Sequence, residues 1–208
     1  MAEPLVAVLA AGRAERFGGG KLAASCAGKP LGRWVIEAAE RAGLGQGLIV
    51  TGSEGASYAP GWTALVNPNP EVGIGSSLAL AARHALDAGA GSLLVLLADM
   101  PLLDAGYLQR LAAAAAPAAT RYPKGHAGVP ALFDRALLEQ ASALTGDRGM
   151  GPLLRAATLF DAPDGMLADV DTAADLANVV RVIQQAQAHP ESVEGRAKPA
   201  PSPDRSRA

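Results

Sequence analysis

Short aliphatic runs separated by glycine-bearing turns set the rhythm of the chain. Leu5 to Ala10 (LVAVLA), bounded by Pro4 and Gly12, has the unbroken apolar character of a strand buried on both faces of a parallel sheet. Leu48 to Thr51, Ala64 to Val66 and Leu93 to Leu97 repeat it, each followed by turn residues and a stretch of helical periodicity. Pro30 suits the first turn of a helix carrying Trp34, Val35 and Ala38, and Asp104 suits the cap of one carrying Tyr107, Leu108 and Leu111. Such alternation implies right-handed crossovers, so the spacing predicts an α/β fold with a mostly parallel sheet, whose ligands bind beyond the carboxyl ends of the strands.

After about residue 117 the pattern is less regular, with short strands expected near Ala118 to Tyr122, Pro130 to Phe133 and Leu167 to Val170. This half is expected to build the acceptor side. Thr172 to Gln187 reads as a closing helix with Leu176, Val179, Val180 and Ile183 on one stripe, and Thr172 with Asp175 can form a capping box. From His189 the chain is rich in proline and charge with almost nothing to bury, which predicts one domain over residues 1–188 and a disordered tail over 189–208.

Composition narrows the function. A net charge of -2 offers no basic field for nucleic acid, so no DNA or RNA partner is expected. Cys26 is the one cysteine, which excludes an intrachain disulfide and a cysteine zinc site and fits a reducing, cytoplasmic setting. The first apolar run turns glycine-rich and charged at once, so it reads as a buried strand rather than a signal peptide. No apolar run approaches the roughly 20 residues that span a bilayer, and no membrane partner is expected.

The chemistry is concentrated behind the first strand, in Leu9-Ala10-Ala11-Gly12-Arg13-Ala14-Glu15-Arg16-Phe17-Gly18-Gly19-Gly20-Lys21. Small residues allow backbone N–H groups to approach an anion, and Arg16 and Lys21 can neutralise phosphate, so a polyphosphate is the natural ligand. Lys21 is followed by Leu22 rather than Ser or Thr, and no G-x-G-x-x-G occurs, which excludes a P-loop and a Rossmann fingerprint. Asp99 follows the fourth strand at the edge where such sheets bind ligands, and a carboxylate there suits hard Mg²⁺. It reads equally as an acid ending a strand before Pro101.

The loop LAAGRAERFGGGKL resembles the signature loop of the MobA-like NTP transferase family, which includes the molybdenum cofactor guanylyl- and cytidylyltransferases. The resemblance continues through GKPL at Gly28 to Leu31, Asn67-Pro68, VGIGSSL at Val72 to Leu78, ADMP at Ala98 to Pro101, GDRG at Gly146 to Gly149 and DVDT at Asp169 to Thr172, and so covers nearly everything except the tail. It implies a Rossmann-like three-layer sandwich, an NTP held by Leu9, Ala10, Ala11, Gly12, Arg13 and Lys21, and Mg²⁺ as cofactor on Asp99. It also implies transfer of a nucleoside monophosphate to a phosphorylated small molecule, with Arg16, Lys21 and Asp99 catalytic and pyrophosphate released. Within the family the reading is a cytidylyltransferase acting on molybdopterin with CTP, and a molybdenum enzyme or chaperone as partner. The guanylyltransferase relatives typically have glycine at the Ala11 position, where the added methyl narrows the space for a purine.

The remaining candidates are less sharply defined. Asp169 and Asp171 alternate, so one of them is expected to complete the metal site; Asp171 can instead cap the last helix. Gly73 to Ser77 opens a helix whose N–H groups and hydroxyls, at Gly75, Ser76 and Ser77, suit the nucleotide, although Ser76 equally suits a cap. Asn67 can meet a base edge or simply make an Asn-Pro turn. His126 is the histidine placed in a substrate loop, since His84 falls within an amphipathic helix and His189 in the tail. Val129 and Pro130 are candidate substrate contacts, but related cytidylyltransferases often carry His or Asn where Val129 stands, and valine donates no hydrogen bond. A sugar-phosphate transferase and a non-catalytic nucleotide-binding module are the alternative functions.

Overall fold

The computed structural model describes residues 3–12, 14–144 and 150–188 of the 208-residue chain. Arg13, the GDRG segment at 146–149 and the tail at 189–208, with His189, therefore lie outside the described residues. In chain order the elements are β1 (Leu5–Ala10), β2 (Ser25–Cys26), β3 (Lys29–Pro30), α1 (Leu31–Arg41), β4 (Leu48–Thr51), β5 (Thr63–Val66) and α2 (Ile74–Asp87). They continue with β6 (Ser92–Leu97), α3 (Ala105–Ala112), β7 (Ala118–Arg121), β8 (Ala127–Asp134), α4 (Arg135–Ser142), β9 (Thr158–Asp161) and α5 (Ala173–Ala188).

The main sheet has seven strands in the order β5-β4-β1-β6-β8-β7-β9, and β8 alone runs against the others. Helices α2 and α4 pack together, as do α1 and α3, giving the helix–sheet–helix layers of a Rossmann-like α/β sandwich. β1 and β6 occupy the middle, so their aliphatic side chains are buried on both faces; Ala7, Val8, Leu93, Leu94, Val95 and Leu96 are all fully enclosed. Leu9 pairs with Leu97, and the Ala98 N–H continues the ladder by donating to the Leu9 carbonyl. The loops that leave these two strands therefore emerge side by side.

Caps follow local chemistry. The Asp104 carboxylate accepts from the Tyr107 N–H at 2.6 Å, as expected. Thr172 and Asp175 form the reciprocal box, with the Asp175 N–H donating to Thr172 Oγ1 and the Asp175 carboxylate accepting from the Thr172 N–H at 2.8 Å. Pro30 sits one position earlier than expected, as the extended residue that precedes α1.

Leu167 to Val170 is not a strand. Its sheet position is taken by Thr158–Asp161, which pairs in parallel with β7 as the outer strand and which the sequence pattern did not single out. Without a partner strand, this segment is tied instead by the Val170 N–H, which donates to the Asp99 carbonyl at 3.0 Å. That bond brings the following Asp171 beside the loop after β6. Val170 also joins Cys26, Leu31, Val179 and Ile183 in a second apolar cluster that seats α5 on the β2–β3 hairpin.

Candidate active site

The loop after β1 turns through Ala14 and Gly18 to Gly20, all at positive φ; at Gly19 the φ of 92° would strain any side-chain-bearing residue. The Phe17, Gly18 and Gly19 N–H groups all donate to the Ala14 carbonyl, so this stretch shapes the turn and leaves those donors unavailable to an anion. The turn delivers Lys21, whose side chain is only 10% exposed, to the interior.

There Lys21 Nζ donates to Asp99 Oδ2 at 2.8 Å and lies 3.5 Å from Asp171 Oδ1. Arg16, 78% exposed, reaches the other oxygen of Asp171 at 3.0 Å. Four charges thus alternate along Arg16, Asp171, Lys21 and Asp99. Asp99 Oδ1 is buried and finds no hydrogen-bond partner among the described residues, an uncommon state for a carboxylate oxygen. Asp171 spends its side chain on these cations and not on capping α5; only its N–H turns to the Asp175 carboxylate. Asp169 is exposed and faces Tyr122, whose hydroxyl pKa is pushed up to about 12 by burial, then by the charges of Asp169 and Asp99.

On the other flank, Asn67 follows β5 and is 4% exposed. Its amide nitrogen donates to Ser76 Oγ at 2.8 Å and Ser77 Oγ at 3.0 Å, and its oxygen accepts from the Asn69 N–H at 3.0 Å. In the structure the Asn67 amide clasps the entry to α2. Gly73 at φ 106° makes the bend into that helix, a conformation for which glycine is suited.

Between the flanks lies a cavity of about 280 Å³ lined by Leu9, Ala10, Ala11, Gly12, Lys21, Ser77 and Asp99, together with Gly73 and Ile74. A second hollow of about 290 Å³ shares Ala10, Ala11, Gly12 and Lys21 and extends to Gly52, Ser53 and Tyr58. Gly75 and Ser76 are outside the lining of the first cavity, and so is Arg16, which pairs with Asp171. Ile74 escaped the sequence reading because an apolar first residue of a helix looks like core.

The acceptor-side candidates are dispersed. His126 is exposed just before β8 and borders a separate hollow with Arg155. Val129 and Pro130, the other candidate substrate contacts, are buried within β8, and the Val129 carbonyl accepts from the Tyr122 hydroxyl at 2.7 Å. Tyr122, which the sequence did not single out, also borders a hollow with Asp164 and Leu167. Its ring rests on Gly128, where a Cβ would come within 2.6 Å, and no local pattern announces such a long-range seat.

A lysine, two carboxylates and an arginine at the mouth of a cleft, at the carboxyl edge of a parallel sheet, suit a metal-assisted reaction on a polyphosphate. Purine catabolism protein PucB of Bacillus subtilis (strain 168) is 32% identical over 183 residues, spanning 79% of this chain and 89% of that one. Among solved structures, a nucleotidyl transferase from Methanothermobacter thermautotroptrophicus superposes with a TM-score of 0.75 at 21% identity, covering 89% of this chain and all of that one (100%). Molybdopterin-guanine dinucleotide biosynthesis protein A from Archaeoglobus fulgidus superposes with a TM-score of 0.65 at 20% identity, covering 86% and 98%. The family model described as the MobA-like NTP transferase domain matches residues 6–163, and the chain belongs to that family of nucleotidyltransferases.

Proposed function

We propose that this nucleotidyltransferase moves CMP from CTP onto the phosphate of molybdopterin and releases pyrophosphate. An acceptor phosphate oxygen bonds to the α-phosphorus as the bond from that phosphorus to the bridging oxygen of the β-phosphate breaks, and the electron pair leaves with pyrophosphate. Lys21 and Arg16 offset the negative charge gathered there, which is the main requirement when two anions react. The orphaned Asp99 Oδ1 fits a divalent cation, and Asp99 with Asp171 would hold it, two carboxylates being the usual protein share of a Mg²⁺ site. Bound there, Mg²⁺ supplies further positive charge to the phosphates. The observation that carries the reading is the convergence of Lys21, Asp99 and Asp171 beside the cavity lined by Leu9 to Gly12.

The preference for CTP rests on Ala11, which is buried and borders both hollows. A methyl at that wall is worth roughly 1–3 kcal/mol of discrimination, so Ala11→Gly is expected to lower the CTP over GTP ratio of kcat/KM without inverting it. The buried Val129 gives one reason to keep a sugar phosphate as the second reading, because the side chain at that position offers nothing to a pterin. The decisive assay supplies Mg²⁺, each NTP, and either molybdopterin or a panel of sugar phosphates, and follows pyrophosphate and the dinucleotide. Cytidylylated pterin supports the proposal. Turnover with a sugar phosphate alone selects the second reading, and binding without turnover makes the chain a nucleotide-binding module.

A further inference from the structure

Among the described residues, the cations and carboxylates at the site pair with one another before any ligand arrives. Lys21 is nearly enclosed, with Asp99 at 2.8 Å and Asp171 at 3.5 Å, and Arg16 closes the chain on Asp171 at 3.0 Å. The ammonium therefore stands between the two carboxylates read above as the metal holders. A free divalent cation approaching them meets a fixed positive charge within contact distance, and a bare polyphosphate approaching Lys21 meets two carboxylates. A metal–nucleotide complex meets neither obstacle, since it brings both signs at once.

We infer that Lys21 acts as a built-in counter-ion that keeps Asp99 and Asp171 from binding a divalent cation until a nucleotide triphosphate draws it away, so that the metal–NTP complex rather than the free metal is what the protein takes up. On entry Lys21 and Arg16 exchange carboxylates for phosphates, and the carboxylates are released to the cation. The position of Asp99 agrees with this: Lys21 satisfies one oxygen of that carboxylate, and the other is buried without a donor among the described residues, as a stand-in of the wrong shape would leave it. The inference rests on the proposed metal site, and the test separates the two.

Mn²⁺ binding to the nucleotide-free protein is followed by the loss of free-ion EPR signal in the wild type, Lys21→Met, Lys21→Gln and the double variant Lys21→Met with Asp99→Asn. Circular dichroism melts establish that each is folded, and the glutamine variant serves if the methionine one is not. Removing the ammonium is expected to tighten Mn²⁺ binding by about tenfold or more, the scale of one unit charge at this range in a partly enclosed site. The added Asp99→Asn change is expected to abolish that gain, while a non-hydrolysable CTP analogue is expected to tighten Mn²⁺ binding in the wild type. Equal or weaker Mn²⁺ binding after removal of Lys21 overturns the exchange while leaving the metal site standing. No Mn²⁺ binding in any protein, with or without the analogue, overturns both.

Discussion

Asn67→Ala separates a nucleotide contact from a structural clasp. The substitution removes three hydrogen bonds, two donated to Ser76 and Ser77 and one accepted from the Asn69 N–H. Ser76 Oγ keeps acceptors in the Gly73 and Asn69 carbonyls, so its loss is partly offset, whereas the Asn69 N–H is left without its side-chain acceptor. At about 0.5–1.5 kcal/mol per bond, and with the cost of an unsatisfied donor, the change amounts to about 2–4 kcal/mol. For a domain of this size 1 kcal/mol moves Tm by about 2–4 °C, so a fall of about 5–15 °C is expected in a calorimetric melt. Because Ser77 and Gly73 line the cavity, KM for nucleotide is expected to rise by a similar factor for CTP and GTP, with kcat changed less. An unchanged Tm together with a loss confined to one base would refute the clasp and restore Asn67 as a direct reader of the base.

Two further perturbations test the surroundings of the site. Gly128→Ala places a Cβ 2.6 Å from the Tyr122 ring, and the displaced ring is expected to cost about 1–3 kcal/mol and to raise KM for the acceptor while KM for NTP stays put; equal effects on both substrates would show that Tyr122 does not belong to the acceptor side. Burial alone would raise the Glu37 carboxyl, but hydrogen bonds from Lys29 and Arg33, and their charges, hold it below the ordinary value. Such a group adds stability that is fully present above its unfolded pKa, about 4.3 for glutamate, and is lost as pH falls through the lower folded value. Glu37→Gln is therefore expected to lower the urea midpoint at neutral pH and to converge with the wild type in acid; a difference independent of pH would contradict this.

The elements that depend on near neighbours could be read directly from the sequence. Six consecutive small aliphatic residues between Pro4 and Ala11 have few places to go but the middle of a sheet, and the caps at Asp104 and Thr172 use partners three residues away. Lys21 and Asp99 stood out because each ends or follows a glycine-bearing or strand-ending turn where a charge is hard to explain as packing. What the pattern left open depended on distant partners. Leu167 to Val170 has the composition of a strand, yet a strand exists only where another supplies its hydrogen bonds, and that edge belongs to Thr158–Asp161. The spacing of Asp169 and Asp171 could not show which one meets the cations, because Arg16 and Asp171 are 155 positions apart and Lys21 and Asp99 are 78 apart. Those meetings follow from placing β1 beside β6 and from the single bond between Val170 and Asp99, non-local events whose energy no window of the sequence contains. The same holds for Asn67 and Val129: the sequence supplied an amide and a valine near the right edge of the sheet, and only the packed fold decided that the amide would face two serines and the valine the core.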